Sequence, residues 1–443
     1  MPDLLDDPLY AATIEREFTH VVVEHHMKWE PLTSPIASGS MWGGPYRCEG
    51  KQFTALSGCY DFGPADKIVD WALERGLKVK GHTLCWHVTS PAWLDALDGK
   101  QCAEALRRHI FTTCGHFRGR VESWDVVNEA LAPDGSLADN VFLRKMGPGY
   151  IAQAFRWAKQ ADPEALLFYN DNKVEGADPS GGGSDAAGPG APKRAKRAPA
   201  NHNPEVQQGR TAISPSADFY RKSDAMFELL RSLLVDGVPI DGVGLQAHFN
   251  AAGVGLGRCP TPKAVATQIA RLKGLGSHRC LPFLVNISEM DVRVSKLPSS
   301  CSDRLRTAAQ CQIYHDILAA ALSAGIAANR SSTAHPGASD GGFSGMTLWG
   351  FTDKHTWVTE FYHADAPLIF DSKYQKKPSY YAVRAALLAE SSKDQSDSEG
   401  AGAAWGAAWM QPEADPVLAA PTAAAAGASA LPDWQQPDMD AGR

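Results

Sequence analysis

The chain has 443 residues, 44% of them hydrophobic and 21% charged, with 43 Lys and Arg against 50 Asp and Glu, a formal charge of −7. That is enough apolar sequence for a large domain, and the acidic balance excludes the broad basic surface that holds nucleic acid or anionic lipid. No stretch reaches the roughly 18 consecutive apolar residues of a membrane span, and Met1 is followed by Pro-Asp-Leu-Leu-Asp-Asp, acidic where a secretory signal is basic.

From the N-terminus, segments with helical apolar spacing alternate with short β-branched runs. The pattern predicts a helix over 8–18, a strand over 20–24, an insertion at 34–57, then helix 64–76, strand 78–85, helix 101–116, strand 121–127, helix 147–161 and strand 165–170. An insertion at 177–215 follows. Its 177–200 portion has no apolar side chain larger than Ala, so it cannot help build a core and is predicted to be disordered. The basic run at 192–197 inside it reads as a solvated charge run, with a nuclear signal as the rival reading. Helix 217–236 comes next, with Met226, Leu229, Leu230, Leu233 and Leu234 on one stripe. Strand 242–247, helix 262–275, strand 283–288 and helix 303–323 lead to an insertion at 327–342, strand 345–349 and helix 378–389. Residues 391–443 turn polar and then Ala-rich with Gly and Pro, the composition of a disordered tail, which leaves 1–390 as one large domain.

Eight helices alternate with seven strands. This favours an α/β fold of the (β/α)8 TIM-barrel type over a doubly wound sheet, because no Gly-x-Gly-x-x-Gly turn follows an early strand. The chain starts on a helix, so the barrel's first β-strand is missing; residues 1–7 are too short and acidic to replace it. Upstream sequence is expected to supply it, and the chain as written is expected to be poorly stable and weakly active. The Gly-rich runs at 253–257 and 337–341 read as loops, without the preceding strand that a nucleotide cradle or a nucleophile elbow needs.

The nine cysteines lack any zinc-like spacing; Cys48 with Cys59, and Cys259 with Cys280, are near enough in sequence to close loops in an oxidising compartment. His25 and His26 are adjacent, so they are expected to face opposite ways and not to share a metal. No metal or cofactor is expected.

Barrel sites sit where strands end. Those ends carry Glu24 and Lys28; His82, Trp86 and His87; Asn128 and Glu129; Asn170 and Asp171; Gln246 and His248; Glu289 and Asp291; and Trp349, Asp353 and Trp357. Two carboxylates on separate strands, ringed by Trp and amide groups, suit glycoside hydrolysis: one carboxylic acid protonates the leaving oxygen while the other group acts at the anomeric carbon.

Trp-Asp-Val-Val-Asn-Glu-Ala at 124–130 resembles the acid/base motif of glycoside hydrolase family 10, the endo-β-1,4-xylanases. Met27-Lys28-Trp29, the Ala-Asp-Lys-Ile-Val run at 65–69, Gly-His-Thr-Leu-Cys-Trp-His at 81–87, 241–249, Ser-Glu-Met-Asp at 288–291, 349–357 and Lys-Pro-Ser-Tyr at 377–380 resemble the family's other motifs in order, over about 9–388. The resemblance implies that Glu129 is the general acid/base and Glu289 the nucleophile of a retaining enzyme, their carboxyls about 5–5.5 Å apart. It implies that Gln246 and His248 hold Glu289, that Asp291 orients His248, and that Asn128 binds the sugar 2-hydroxyl. Glu24, His25, Lys28, His82 and Trp86 would line glycone subsites, with Trp349 and Trp357 roofing the cleavage site.

Three positions depart from the family pattern: His25 stands where Asn is usual, Thr89 where Gln is usual, and Asn172-Lys173 where Tyr-Asn is common. They bear on substrate preference rather than reaction type. The implied partner is xylan, met by a monomer that binds no nucleic acid or membrane, outside the cell or in the cell wall. The alternatives are a transglycosylase, a hydrolase of another β-1,4-glycan, or a decayed carbohydrate-binding barrel.

Overall fold

The computed structural model describes residues 2–33, 60–178, 220–252, 259–278, 283–326, 342–362 and 364–396. The chain divides into two compact units, Met1–Ser391 and Ser392–Arg443; the fold and the site belong to the first. A 3₁₀ turn at Pro2–Asp6 leads into α1 (Pro8–Glu17), whose first turn is fixed locally: the Asp7 carboxylate accepts the Leu9 and Tyr10 N–H groups and Pro8 supplies a helical φ. Then come β1 (His20–Val23), α2 (Trp29–Thr33), α3 (Gly63–Glu74) and β2 (Lys78–Cys85). α4 (Gly99–Phe117) starts on a reciprocal cap between Asp98 and Gln101, and precedes β3 (Ser123–Asn128), α5 (Val141–Met146), α6 (Tyr150–Ala161) and β4 (Leu166–Asp171). The second half carries α7 (Arg221–Val235), β5 (Gly242–Leu245), β6 (His248–Asn250), α8 (Pro262–Lys273), β7 (Leu284–Arg293), α9 (Asp303–Ile326), β8 (Phe343–Leu348), α10 (Trp357–Phe361) and α11 (Pro378–Ser396).

All strand pairs are parallel. The sheet runs β1-β2-β3-β4-β5-β7-β8, with β6 on the upper end of β7. β5 pairs from Gly242↔Leu284 and β6 resumes at His248↔Asp291, so the two form one barrel position interrupted at Gln246 and Ala247. Seven positions result, the number read from the sequence, and no strand precedes α1 among the described residues. β1 and β8 are therefore the sheet's two outer strands. β3 is buried throughout, whereas Val21 and Val22 of β1 and Phe343, Met346 and Leu348 of β8 are half-buried, each strand having a sheet neighbour on one side among the described residues; Val23 alone of β1 is fully buried. Aromatic rings span the seam's upper end: Tyr10 and Phe18 lie 4.8 and 5.7 Å from Phe351. α1 is also tied to the C-terminal segments by Tyr374 to Asp7 (2.8 Å) and Tyr380 to Glu17 (2.7 Å).

Three local expectations change. The strand predicted at 283–288 runs on to Arg293, so Glu289 and Asp291 lie within β7 rather than beyond it. The strand predicted at 242–247 ends at Leu245 because Ala247 takes a left-handed φ of 61°. Residues 24–27 form a turn, so the alternation that would separate His25 from His26 does not apply; their rings sit 5.7 Å apart and both line one cavity. The insertion at 34–57, the bulk of those at 177–215 and 327–342, the tail beyond 396, the Gly-rich runs, the basic run, Cys48, Cys59 and Cys280 lie outside the described residues. Cys259 is a buried free thiol.

Candidate active site

The carboxyl ends of the strands converge on a cavity of about 500 Å³ lined by Glu24, Lys28, Asn128, Glu129, Gln246 and Glu289 among others. Of the strand-end positions singled out from the sequence, Glu24, Lys28, His82, Trp86, Asn128, Glu129, Gln246, His248, Glu289, Trp349 and Trp357 line it, whereas His87, Asn170, Asp171, Asp291 and Asp353 do not; Asp291 and Asn170 stand one hydrogen bond behind, on His248 and Glu289.

Glu129 directly follows β3. Its backbone is left-handed (φ 55°), and its N–H is held by the Asn170 carbonyl at 2.9 Å. This turn carries the carboxylate over the cavity, where Oε2 accepts from Trp86 Nε1 at 3.0 Å and Oε1 from Gln246 Nε2 at 2.9 Å, so Gln246 holds Glu129 and not Glu289 as the resemblance implied. Glu289 comes from β7 and is 4% exposed. Its Oε1 accepts from Asn170 Nδ2 at 2.6 Å, and His248 Nε2 lies 3.1 Å from Oε2. The two carboxylates share a polar scaffold, since Asn128 Oδ1 accepts from both Asn170 Nδ2 (2.9 Å) and Gln246 Nε2 (3.3 Å).

Burial works against ionising Glu289, but the His248 hydrogen bond, the His82 and His248 charges and the Asn170 amide pull its pKa down to about 2. The complementary shift falls on His248: burial disfavours its charge, yet Asp291 at 2.6 Å and Glu289 together raise it to about 10. Asp291 also accepts from Trp357 Nε1 at 2.8 Å, so one buried carboxylate fixes both the imidazole and the indole above the cleft. Glu289 thus stands as an anion held by an imidazolium.

On the other wall, Lys28 Nζ sits 4.7 Å over the Trp86 ring and 5.7 Å from that of Trp349. Burial lowers the Lys28 pKa while Glu289, Glu24 and Glu129 raise it. His82 is buried, its Nδ1 3.0 Å from Asp125, which also pairs with Lys80 at 2.9 Å, and its ring centre lies 5.1 Å from that of Trp349. Burial, aided by Lys28, holds His25 at about 4; burial likewise holds His26 at about 4, so both are neutral near pH 7. Flat indoles, neutral donors and one ammonium around two carboxylates suit a chain of hydroxylated rings. Among the described residues, no group of three or more His, Cys, Asp or Glu is placed to hold a metal ion.

Thr89 and Asn172, the departures noted in sequence, also line the cavity, as do Val88, Glu360 and Phe361, which sequence reading did not assign. Asn170 was visible as a polar strand end, but its bond to Glu289 spans 119 positions and no local signal announces it.

A parallel β/α barrel with two carboxylates at its strand ends, set among tryptophans and amides, defines a glycoside hydrolase. Residues 2–181 and 215–386 match the sequence model of glycosyl hydrolase family 10, and the chain belongs to that family. Endo-1,4-beta-xylanase B of Thermotoga neapolitana is 29% identical over 395 residues, 88% of this chain and 87% of its own. The beta-1,4-xylanase of Dictyoglomus thermophilum is 29% identical over 392 residues, 84% of this chain and 83% of its own. The crystal structure of xylanase 10B from Thermotoga petrophila RKU-1 in complex with xylobiose superposes with a TM-score of 0.64 at 28% identity, covering 88% of this chain and 92% of that one. The intracellular xylanase of Thermoanaerobacterium saccharolyticum superposes at 0.60 with 26% identity, covering 86% of this chain and 93% of its own.

Proposed function

We propose that this protein is a retaining endo-1,4-β-xylanase in which Glu289 is the nucleophile and Glu129 the general acid/base. The pairing of Glu289 with His248 carries the assignment: a carboxylate kept ionised beside an imidazolium attacks the anomeric carbon without first losing a proton. Glu129, on the facing strand end, donates its proton to the departing glycosidic oxygen, and a covalent glycosyl ester forms on Glu289. Once Glu289 is esterified its negative charge is gone, and Glu129 takes a proton from the incoming water, which opens the ester with net retention. Asn128 meets the 2-hydroxyl of the sugar being cleaved, a contact that strengthens as oxocarbenium character develops. Glu24, His25, Lys28, His82 and Trp86 bind the glycone, and Trp349 and Trp357 cover the reacting ring.

The two roles separate in one experiment. Glu289→Ala abolishes turnover of every glycoside. Glu129→Ala retains glycosylation by an aryl xyloside whose leaving group needs no proton, and added azide restores its turnover as a β-glycosyl azide. Azide rescue of Glu289→Ala alone reverses the assignment. Reducing-sugar release from xylan, mixed-linkage glucan and mannan tests the substrate; xylan is the expected best.

We read the enzyme as a monomer, a reading that its mass in solution tests. By composition, residues 1–390 are read as the catalytic barrel and 391–443 as a tail. Among the described residues, no helix is long and apolar enough to cross a membrane. Because xylan is a wall polymer too large to enter a cell intact, the enzyme acts outside the cell or in the wall; activity in the medium and wall fractions, rather than the lysate, is the expected result.

A further inference from the structure

Gln246 touches Glu129, and His248 touches Glu289, yet the two are separated by the single residue Ala247. A regular β-strand sends residues i and i+2 to the same face at a fixed spacing. Here the strand is broken instead: Ala247, fully buried, has φ 61°, a region costly to any residue with a Cβ. The break lets Gln246 reach Oε1 of Glu129 while His248 reaches Oε2 of Glu289 on the next strand.

The backbone N–H of Ala247 points at Oε1 of Glu175 at 2.9 Å. The same oxygen accepts the N–H of Lys173 at 3.2 Å, and Lys173 is itself left-handed, at φ 57°. Glu175 is buried, in the loop that follows β4, and the next residue but one is stitched to α8 by the Ala177 N–H to the Ala264 carbonyl at 3.0 Å. Val174 is held from α8 as well, by Gln268 Nε2 at 2.8 Å. The carboxylate therefore stands on a loop anchored at both sides and grips two left-handed residues from two strand ends. It touches neither catalytic carboxylate.

We propose that Glu175 is a positioning residue for catalysis: by holding Ala247 in its left-handed conformation it sets Gln246 and His248, and through them Glu129 and Glu289, in register with each other. This rests on the roles proposed above for Glu129 and Glu289, and the azide experiment judges those roles without reference to Glu175.

The test replaces Glu175 by Met, which fills a similar buried volume and accepts no hydrogen bond, and compares it with Glu175→Gln, whose amide oxygen still accepts. Glu175→Met is expected to lower kcat on xylooligosaccharides at least tenfold with KM within about threefold. The acid limb of its kcat/KM profile moves to higher pH, because a displaced His248 no longer holds Glu289 ionised. Its loss is steeper for substrates with poor leaving groups, because Gln246 no longer holds Glu129. Glu175→Gln recovers kcat to within about threefold. Ala247→Gly in the Glu175→Met background restores both kcat and the acid limb, since glycine takes the left-handed backbone unaided. A folded Glu175→Met with wild-type kcat and acid limb overturns the proposal. So does a loss of kcat with an unmoved acid limb, or a variant, folded or unfolded, that Ala247→Gly does not restore.

Discussion

His248 is the side chain on which the charge state of the cleft turns. It lies 2.6 Å from Asp291 and 3.1 Å from Glu289, so removing it takes away the hydrogen bond that most favours the buried Glu289 anion and leaves the Asn170 amide and the His82 and Lys28 charges. Glu289 then titrates higher than its present value of about 2. His248→Ala is expected to raise the acid limb of kcat/KM by about one to three pH units, the size of shift a neighbouring charge causes. The stability linkage has a definite sign. Glu289, depressed from 4.5 to about 2, stabilises the fold above pH 4.5 and loses that contribution as pH falls toward 2; His248, raised from 6.5 to about 10, contributes below 6.5 and loses it as pH rises through 10. His25 and Thr89 line the cavity and are expected to act on binding rather than chemistry. His25→Asn with Thr89→Gln is expected to raise kcat/KM on xylooligosaccharides about three- to tenfold, the worth of about one restored sugar hydrogen bond. An unchanged or lower value means that His25 and Thr89 make productive contacts of their own.

Neighbouring strands make the site possible by leaving space as much as by supplying groups. Gly244 in β5 lies where a Cβ would collide with the Asn170 amide oxygen and press on Ser288 Oγ at 3.0 Å. Asn170 is fully buried and bonds Asn128, Ser288 and Glu289, so it has nowhere to retreat. Gly244→Ala is therefore expected to destabilise the fold by about 1–3 kcal/mol through overpacking, and to reduce kcat more than tenfold by tilting Asn170 away from Glu289. Thermal melting read alongside kcat checks both; a melting temperature and kcat equal to the parent's contradict the account. Helix faces on the outer layer show the complementary logic. The Met226, Leu230, Leu233 and Leu234 stripe of α7 is buried as its spacing requires, while Leu229 on the stripe's margin is left half-buried.

The seam between β1 and β8 governs the barrel as a whole. Leu5, Ile14, Val21, Ile68 and Trp71 line the same cavity as Glu129 and Glu289, so apolar surface continues from the cleft into the wall beside β1. A parallel strand placed between β1 and β8 would pair with both edges and cover the half-buried Val21, Met346 and Leu348. Fusing a β-branched strand segment ahead of Pro2 is therefore expected to raise both the melting temperature and the xylanase activity, whereas a Gly/Ser segment of equal length raises neither. Equal behaviour of the two fusions would mean that the aromatic contacts of Tyr10 and Phe18 with Phe351 already secure the seam.

Much of this was legible in one dimension, for reasons of period and chemistry. Helix α7 and strand β2 follow from apolar spacing alone, and β2 matches its expected bounds at 78–85, because a side chain's face is set by its place in the repeat. Glu129 and Glu289 were recognisable because their flanking motifs are contiguous in the chain. Folding added what depends on partners far apart in sequence. The register that brings Gly242 beside Leu284, the bond from Asn170 to Glu289 across 119 positions and that from Glu175 to Ala247 across 72 arise only when the strands close on one another. The left-handed turns at Glu129 and Ala247 belong to the same class. An isolated Glu or Ala does not favour that backbone, and it persists because Asn170 and Glu175 hold the two N–H groups in place.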